Sequence, residues 1–226
     1  GRTIGIVELI AMNASRALGA AELKTVEAMA TMGATGLEKV RLLEQLRSAA
    51  DMDLVTGVHN HRYLQERLRQ EVARSARSHS PFAVLMRDLD NFKPVNDRHG
   101  HADGDRVLHN IGAQIKDQVR AFDVVARYGG DEFVVLMPDT PPDHAELVAQ
   151  RVVDGVLQSH HLMTDGTQVQ VGISAGLAVY PADGRTSATL LQSADAAMYA
   201  AKRSGGRQVE RRGPVAIPVE AVPATA

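Results

Sequence analysis

The sequence predicts an α+β fold: a central antiparallel sheet of β-α-β-β-α-β order, ferredoxin-like, covered by helices and preceded by one long helix. Three observations predict it. Between residues 53 and 209, short apolar runs alternate with helix-length segments whose apolar residues recur every three or four positions. Gly129 and Gly130 directly separate two strand-like runs, which puts one hairpin inside the alternation. Ahead of these, Ala21 to about Met52 keeps a 3-4-3-4-3 apolar spacing over about nine turns, long for a globular helix.

Taken in order, Thr3 to Leu9 (TIGIVEL) reads as a strand rich in β-branched residues. Gly19 and Ala20 precede the long helix, where Leu23, Val26, Ala30, Gly33, Leu37 and Val40 share a face that Leu43 and Leu46 continue. One strand and one helix cannot close a core. The helix therefore either packs on its own domain or pairs with a second copy as a parallel coiled coil. Gly33 and Gly36 weaken an ideal coil but would permit close approach of two helices. Pro81 leads into a buried strand, Phe82 to Arg87. Asp105 to about Arg120 is helical, with Val107, Leu108, Ile111, Ile115 and Val119 on one side. Asp123 to Tyr128 and Phe133 to Met137 are the hairpin strands. A helix from Asp143 to Ser159 follows Pro141 and Pro142, then a strand from Thr167 to Tyr180. Thr186 to Arg203 is the last helix, closed by Gly205 and Gly206. Residues 210–226 are rich in Pro, Ala and Val without period and read as a disordered tail. The division is thus 1–52, 53–209 and 210–226.

Composition narrows the chemistry. Of 226 residues 44% are hydrophobic but only 4% aromatic, so aliphatic side chains must fill the core. A net charge of −2 gives no support to bulk nucleic-acid binding and leaves room for a local phosphate site. The absence of cysteine excludes disulfide scaffolds, zinc–thiolate sites, iron–sulfur clusters and cysteine nucleophiles. No run of 18 apolar residues could span a bilayer. The first residues lack a signal-type pattern and an initiator Met, as in a piece excised from something longer. The paired histidines, among them His59 with His61 and His99 with His101, lack any zinc-binding arrangement.

Two acidic spots approach each other in such a fold. Asp88 and Asp90 lie at the end of a buried strand, and Asp131 and Glu132 on the Gly-Gly turn of the neighbouring pair. Carboxylates gathered from separate segments suit Mg2+ held together with substrate phosphates. Equally, Asp88 could cap the following helix and Asp131 could fill a turn. Asn96 and Asp105 have the groups to read a purine edge, although Asp105 could also be a helix N-cap.

YGGDEF, Tyr128 to Phe133, resembles the signature of the GGDEF family, the diguanylate cyclases. DLVTG (53–57), with Asn60 and Arg62, resembles the family's opening motif. DLDNFKPVND (88–97), followed by GHADGD (100–105), resembles its nucleotide-binding stretch, and ADAAMYAAK (194–202) its closing helix. The resemblance covers residue 53 to about 209, and it implies a nucleotidyl-cyclase-like fold that condenses two GTP into cyclic di-GMP and two pyrophosphates. It implies Mg2+, with Mn2+ as a substitute, held by Asp88, Asp131 and the Leu89 carbonyl. Glu132 would assist proton removal or hold a second cation. Asn96 and Asp105 would read guanine. Lys93, Lys202 and the backbone N–H groups of Asn91, Phe92 and Lys93 would meet phosphate. Asp105 fits guanine in both half-sites, and so cyclic di-GMP over a mixed dinucleotide. RAFD, Arg120 to Asp123, resembles the family's RxxD inhibitory motif, where product would bind; a plain surface Arg–Asp pair is the other reading.

Catalysis would need a homodimer, joined by the N-terminal helix and by pairing of the GGDEF domains. The expected setting is bacterial cytoplasm, without nucleic-acid partners. Residues 1–52 resemble the end of a GAF sensor domain running into a signalling helix. The alternative is a degenerate GGDEF module that binds GTP or cyclic di-GMP for regulation. Three departures from the family stand out. His61 replaces a usual Arg, Gly206 occupies a usual Arg position with Arg207 or Arg203 left to supply the charge, and Arg87 precedes Asp88 where apolar or acidic residues are common.

Overall fold

Ala, Leu, Glu and Met, all good helix formers, populate residues 20–49, and they form α1 (Ala20–Ala49). The structure, a computed structural model, describes residues 19–49, 51–211 and 213. The expected strand at Thr3–Leu9 and nearly all of the tail lie outside them. Two compact units are present, one ending at Ala50 and the other beginning at Asp51. In the first, Thr25, Thr31 and Thr35 return their hydroxyls to carbonyls four residues back. Leu23, Met29, Met32, Leu37 and Val40 stand exposed. The helix stops three residues short of Met52. From Asp51 the chain reverses instead, with Asn60 N–H on the Asp51 carbonyl (2.9 Å) and Asp53 N–H on the Val58 carbonyl (2.8 Å).

In the second unit β1 (Phe82–Asp90) is the middle of a five-stranded sheet. The order is β2 (Val124–Arg127), β3 (Glu132–Met137), β1, β6 (Gly172–Tyr180), β7 (Val209–Arg211). Only the β6–β7 pair is parallel. Because successive side chains alternate, β1 feeds two cores. Ala83, Leu85 and Leu89 pack with α4 (His101–Gln118) and α5 (Pro142–Leu157). Phe82, Val84 and Met86 pack with α2 (His61–Ser78) and α6 (Ser187–Arg203). The α2 N-terminus is capped by Asn60, whose side chain accepts from Tyr63 N–H (3.0 Å). At Gly176 an added Cβ would lie 2.0 Å from the Ala194 carbonyl oxygen and 2.2 Å from the Met198 nitrogen. Helix α6 thus seats directly on the backbone of β6.

The expected strand and helix order is present, with five differences. β1 runs three residues past Arg87, carrying Asp88 and Asp90 into the ladder. A short α3 (Lys93–His99) fills what read as loop, with Pro94 in its first turn. Gly100, at φ 82°, breaks it from α4, which starts four residues before the expected Asp105. The strand expected from Thr167 to Tyr180 is divided: β5 (Gln168–Val169) pairs with β4 (His161–Leu162), and only β6 joins the main sheet. At the division the Gln170 amide donates to the carbonyl of Leu157, the last residue of α5. Finally, Glu210 and Arg211, placed in the tail on sequence, belong to β7.

Arg87 is the largest fully buried side chain. It lies on the α4/α5 face of β1, between Phe133 and Ala175, and its three guanidinium nitrogens have no hydrogen-bond partner among the described residues. Burial pushes its pKa down. Arg87→Met keeps much of the length and drops the charge. It is expected to raise stability by roughly 1–3 kcal/mol, seen as a higher urea midpoint at unchanged slope. An equal or lower midpoint would show that the guanidinium finds a partner in solution.

Candidate active site

Past Met86, β1 trades its apolar run for Arg87-Asp88-Leu89-Asp90, and β3 opens on Glu132. The register sets Asp88 opposite Glu132 on one side and Ser174 on the other, so all three project on the α2/α6 face. Lys202, in the last turn of α6, brings its Nζ to 2.5 Å from Asp88 Oδ1. Burial raises the pKa of Asp88, with Lys202 opposing and the charges of Asp131 and Asp90 reinforcing. Glu132 is raised by burial first, then by Asp88, Asp131 and Asp195, again with Lys202 opposing. Its carboxylate folds back over Gly129, where an added Cβ would sit 2.5 Å from Oε2.

Asp131 lies in the turn between β2 and β3, and its carbonyl accepts from Leu89 N–H (3.4 Å). The turn is held by Arg127, a residue the sequence reading missed. Arg127 Nε donates to the Gly130 carbonyl (3.0 Å) and Nη2 to the same oxygen (2.7 Å), while Nη1 reaches Asp53 Oδ1 (3.1 Å). Asp53 in turn accepts from Thr56 N–H (2.9 Å) and its hydroxyl (2.7 Å). A signal was present, because Asp53 and Thr56 belong to DLVTG and Arg127 immediately precedes Tyr128-Gly129-Gly130.

Asp90 is engaged otherwise: it accepts from the Ser174 hydroxyl (2.7 Å) and Arg207 N–H (3.0 Å). Gly206, at φ 72°, lets the loop approach, since a Cβ there would meet Asp90 Oδ2 at 2.9 Å. Arg203 lines a separate cavity with Ala196, Tyr199, Ala200 and Ser204. The remaining set at the turn is all oxygen and carries excess negative charge, as suits a hard divalent cation. Among the described residues no three acidic or histidine side chains form a metal cage. Mg2+ typically takes one or two carboxylates and completes its shell with phosphate oxygens and water.

The other candidate residues stand just beyond β1. Asn91 is exposed in the left-handed region (φ 58°) and turns the chain into α3. Phe92 caps α3 with its side chain buried, and Lys93 is its exposed first residue. Pro94 has no N–H and Val95 N–H donates to the Phe92 carbonyl (2.9 Å), so the donors that this turn can offer a ligand are those of Asn91, Phe92 and Lys93. Asn96 lies against α4, where a Cβ on Gly104 would fall 1.8 Å from Asn96 Oδ1. Asp105 is exposed in the second turn of α4 and is not its cap, a place Gly100 takes.

Arg120 and Asp123 stand apart, at the opposite end of β2. Arg120 N–H donates to Asp123 Oδ2 (2.8 Å), and Asp123 N–H to the Arg120 carbonyl (3.0 Å). The Arg120 guanidinium lies 5.6 Å from the centre of the exposed Phe122 ring. Asp123 Oδ1 is buried without a partner among the described residues. Burial raises this carboxyl, while Arg120 and then Arg151, which the sequence reading also missed, act against the rise. A cavity of about 250 Å³ adjoins, lined by His59, Lys116, Arg120 and Asp123 among others.

The family model "Diguanylate cyclase, GGDEF domain" matches residues 50–208, and the chain belongs to that family. It is 40% identical over 165 residues to the bifunctional diguanylate cyclase/cyclic di-GMP phosphodiesterase MucR of Pseudomonas aeruginosa, covering 73% of this chain and 24% of MucR. It is 37% identical over 181 residues to the response regulator PleD of Caulobacter vibrioides, covering 76% and 40%. The chain thus spans under half the length of either. Among solved structures, the GGDEF domain of TpbB from Pseudomonas aeruginosa superposes with a TM-score of 0.67 at 38% identity, covering 70% of this chain and 92% of that one. The coiled coil and GGDEF domain of DgcB from Caulobacter crescentus, in complex with c-di-GMP, gives 0.73 at 25% identity, covering 82% and 98%.

Lys202 opposes the upward shift of both Asp88 and Glu132. Lys202→Met is expected to move both titrations to higher pH, followed by carbon-detected NMR of the carboxyl groups without divalent cation. Unmoved midpoints would show that the ammonium leaves Asp88 in solution.

Proposed function

We propose that this chain is a diguanylate cyclase module. It condenses two GTP into cyclic di-GMP and releases two pyrophosphates. The observation that carries the reading is the gathering of Asp88, Asp131 and Glu132 where the end of β1 meets the turn into β3, with the Lys202 ammonium on Asp88. Asp88, Asp131 and the Leu89 carbonyl hold Mg2+, for which Mn2+ substitutes. When bound, the cation neutralises triphosphate charge and acidifies the attacking hydroxyl. Lys202, Lys93 and the N–H groups of Asn91, Phe92 and Lys93 orient the phosphates. Asn96 and Asp105 read guanine. Glu132, its pKa raised by burial and neighbouring carboxylates, accepts the proton of the 3′-hydroxyl. The 3′-oxygen bonds to the α-phosphorus of the second nucleotide as the α–β bridging bond breaks, and pyrophosphate leaves. Positioning and electrostatics drive the step, with no covalent enzyme intermediate.

Each domain holds one nucleotide, so two copies must meet. The exposed apolar residues of α1 support pairing of the helix with a second copy. Residues 1–52 then serve as the signalling helix and the remnant of a GAF domain, ahead of a cyclase domain at 53–209 and a tail at 210–226, in the bacterial cytoplasm. Product bound at Arg120 and Asp123 restrains the pair, a role supported by the unpartnered Asp123 Oδ1 and the cavity beside it.

Asp131→Ala is expected to abolish product formation from GTP and Mg2+ while the circular dichroism spectrum is kept. Near-normal synthesis by that variant would remove Asp131 from the metal set. Arg120→Ala is expected to leave initial rates unchanged and to abolish the slowing of progress curves as cyclic di-GMP accumulates. Equal slowing in parent and variant would make Arg120 an ordinary surface residue.

A further inference from the structure

Asp103 is buried although it sits in the first turn of a surface helix. Its carboxylate leaves the helix to receive another part of the chain. Oδ2 accepts from the Thr164 backbone N–H (3.0 Å) and Oδ1 from the Thr164 hydroxyl (2.7 Å). Arg106, one turn on, closes the cluster. It pairs with Asp103 (2.6 Å) and donates to the Leu162 carbonyl (3.0 Å) and the Thr164 hydroxyl oxygen (3.3 Å). Thr164 belongs to the connection between β4 and β5. The same connection reaches α3, where His99 Nδ1 lies 3.2 Å from Asp165 Oδ2. Four residues, 162–165, therefore hold both α3 and α4.

These are the helices that carry Asn96 and Asp105. His99 is one turn beyond Asn96. Asp103, Gly104 and Asp105 are consecutive: the first is tied to the hairpin, and the second is the backbone surface on which the Asn96 amide rests. A slide of α4 along α3 would change the separation of Asn96 from Asp105, and the Asp103–Thr164 bonds oppose that slide. Two side chains that must meet one purine edge together tolerate little error in their separation. A two-stranded ribbon as short as β4–β5 has little stability of its own. Its docking on the helices is what gives it a fixed position.

We propose that the β4–β5 hairpin is a tether that sets the spacing of Asn96 and Asp105, with Asp103, Arg106 and Thr164 as positioning residues for guanine recognition. It rests on the reading of Asn96 and Asp105 as the guanine-reading pair. The tether is charged at neutral pH, because the Thr164 N–H and hydroxyl hold the Asp103 carboxyl below the usual carboxylate range.

The test compares Thr164→Val, Thr164→Ser and Asp105→Ala in the full chain, with GTP and with ITP, which lacks the 2-amino group. Thr164→Val keeps the shape and the backbone N–H but loses the hydroxyl. It is expected to raise KM for GTP about fivefold, to lower kcat less than twofold, and to reduce the preference for GTP over ITP. Calorimetry with a non-hydrolysable GTP analogue should show the same weakening, and Thr164→Ser should restore both quantities. The tether is refuted if Thr164→Val keeps the parental KM and base preference. It is equally refuted if kcat falls as much as kcat/KM with preference intact, or if Thr164→Ser does not restore. Should Asp105→Ala leave the GTP/ITP preference unchanged, the guanine-reading assignment itself fails, whatever Thr164 does, and the tether falls with it.

Discussion

Arg127 divides its planar fork between the Asp53 carboxylate and the carbonyls of the Gly129-Gly130 turn, and the placement of the acidic groups follows from that bond set. A glycine-rich turn has many conformations to lose on ordering. Three donors in fixed geometry select one of them. With the turn set, Asp131 hangs on Leu89 and Glu132 enters the ladder opposite Asp88. The far end of the fork reaches the segment where the domain begins, so the Gly129-Gly130 turn and the start of the domain share one side chain.

The site that results is electrostatically uncomfortable by construction. Burial disfavours the charged forms of Asp88 and Glu132; the charge of Asp131 adds to both effects, and that of Asp88 adds to the effect on Glu132. Lys202 offsets part of it from α6. Such a set favours arrival of positive charge, whether a cation or the cation-bound triphosphate. Asp90 adds its charge to the rise at Asp88 but is held elsewhere, because the Ser174 hydroxyl and the Arg207 N–H take both its oxygens. Two acidic residues two positions apart, on the same face of one strand, thus have different work.

Much of this was legible in the chain. β1, the hairpin and α6 are long enough for periodicity, and Gly and Pro punctuate them. Signature residues that share a short segment were legible too: Asp88, Asp131 and Glu132 do meet at one edge. Short elements with no glycine turn to frame them were not, since α3, β4 and β7 are too short to show a period. The start of α4 was misread for a physical reason. Glycine weakens helices, yet Gly104 lies inside α4, where the Asn96 amide needs the space a side chain would fill. Arg127 and Asp53 were missed as a pair because 74 residues separate them, and no local pattern announces a single long-range bond. Arg87 was noticed as odd, yet its sequence neighbours could not show that it faces the α4/α5 core without a partner.

The seat of α6 on Gly176 bears on how this protein can change over generations. Lys202 lies one turn beyond Met198, whose backbone nitrogen occupies the space a Gly176 methyl would need. A methyl would lift the helix there, and the ammonium at its end would swing away from the Asp88 carboxylate. Both obstructing atoms are backbone, so no side chain can give way, and the variant would lose the packing of α6 on β6 together with the reach of Lys202. Gly176 therefore answers to the same evolutionary pressure as Lys202 and Asp88, though it sits in mid-strand and has no side chain to offer.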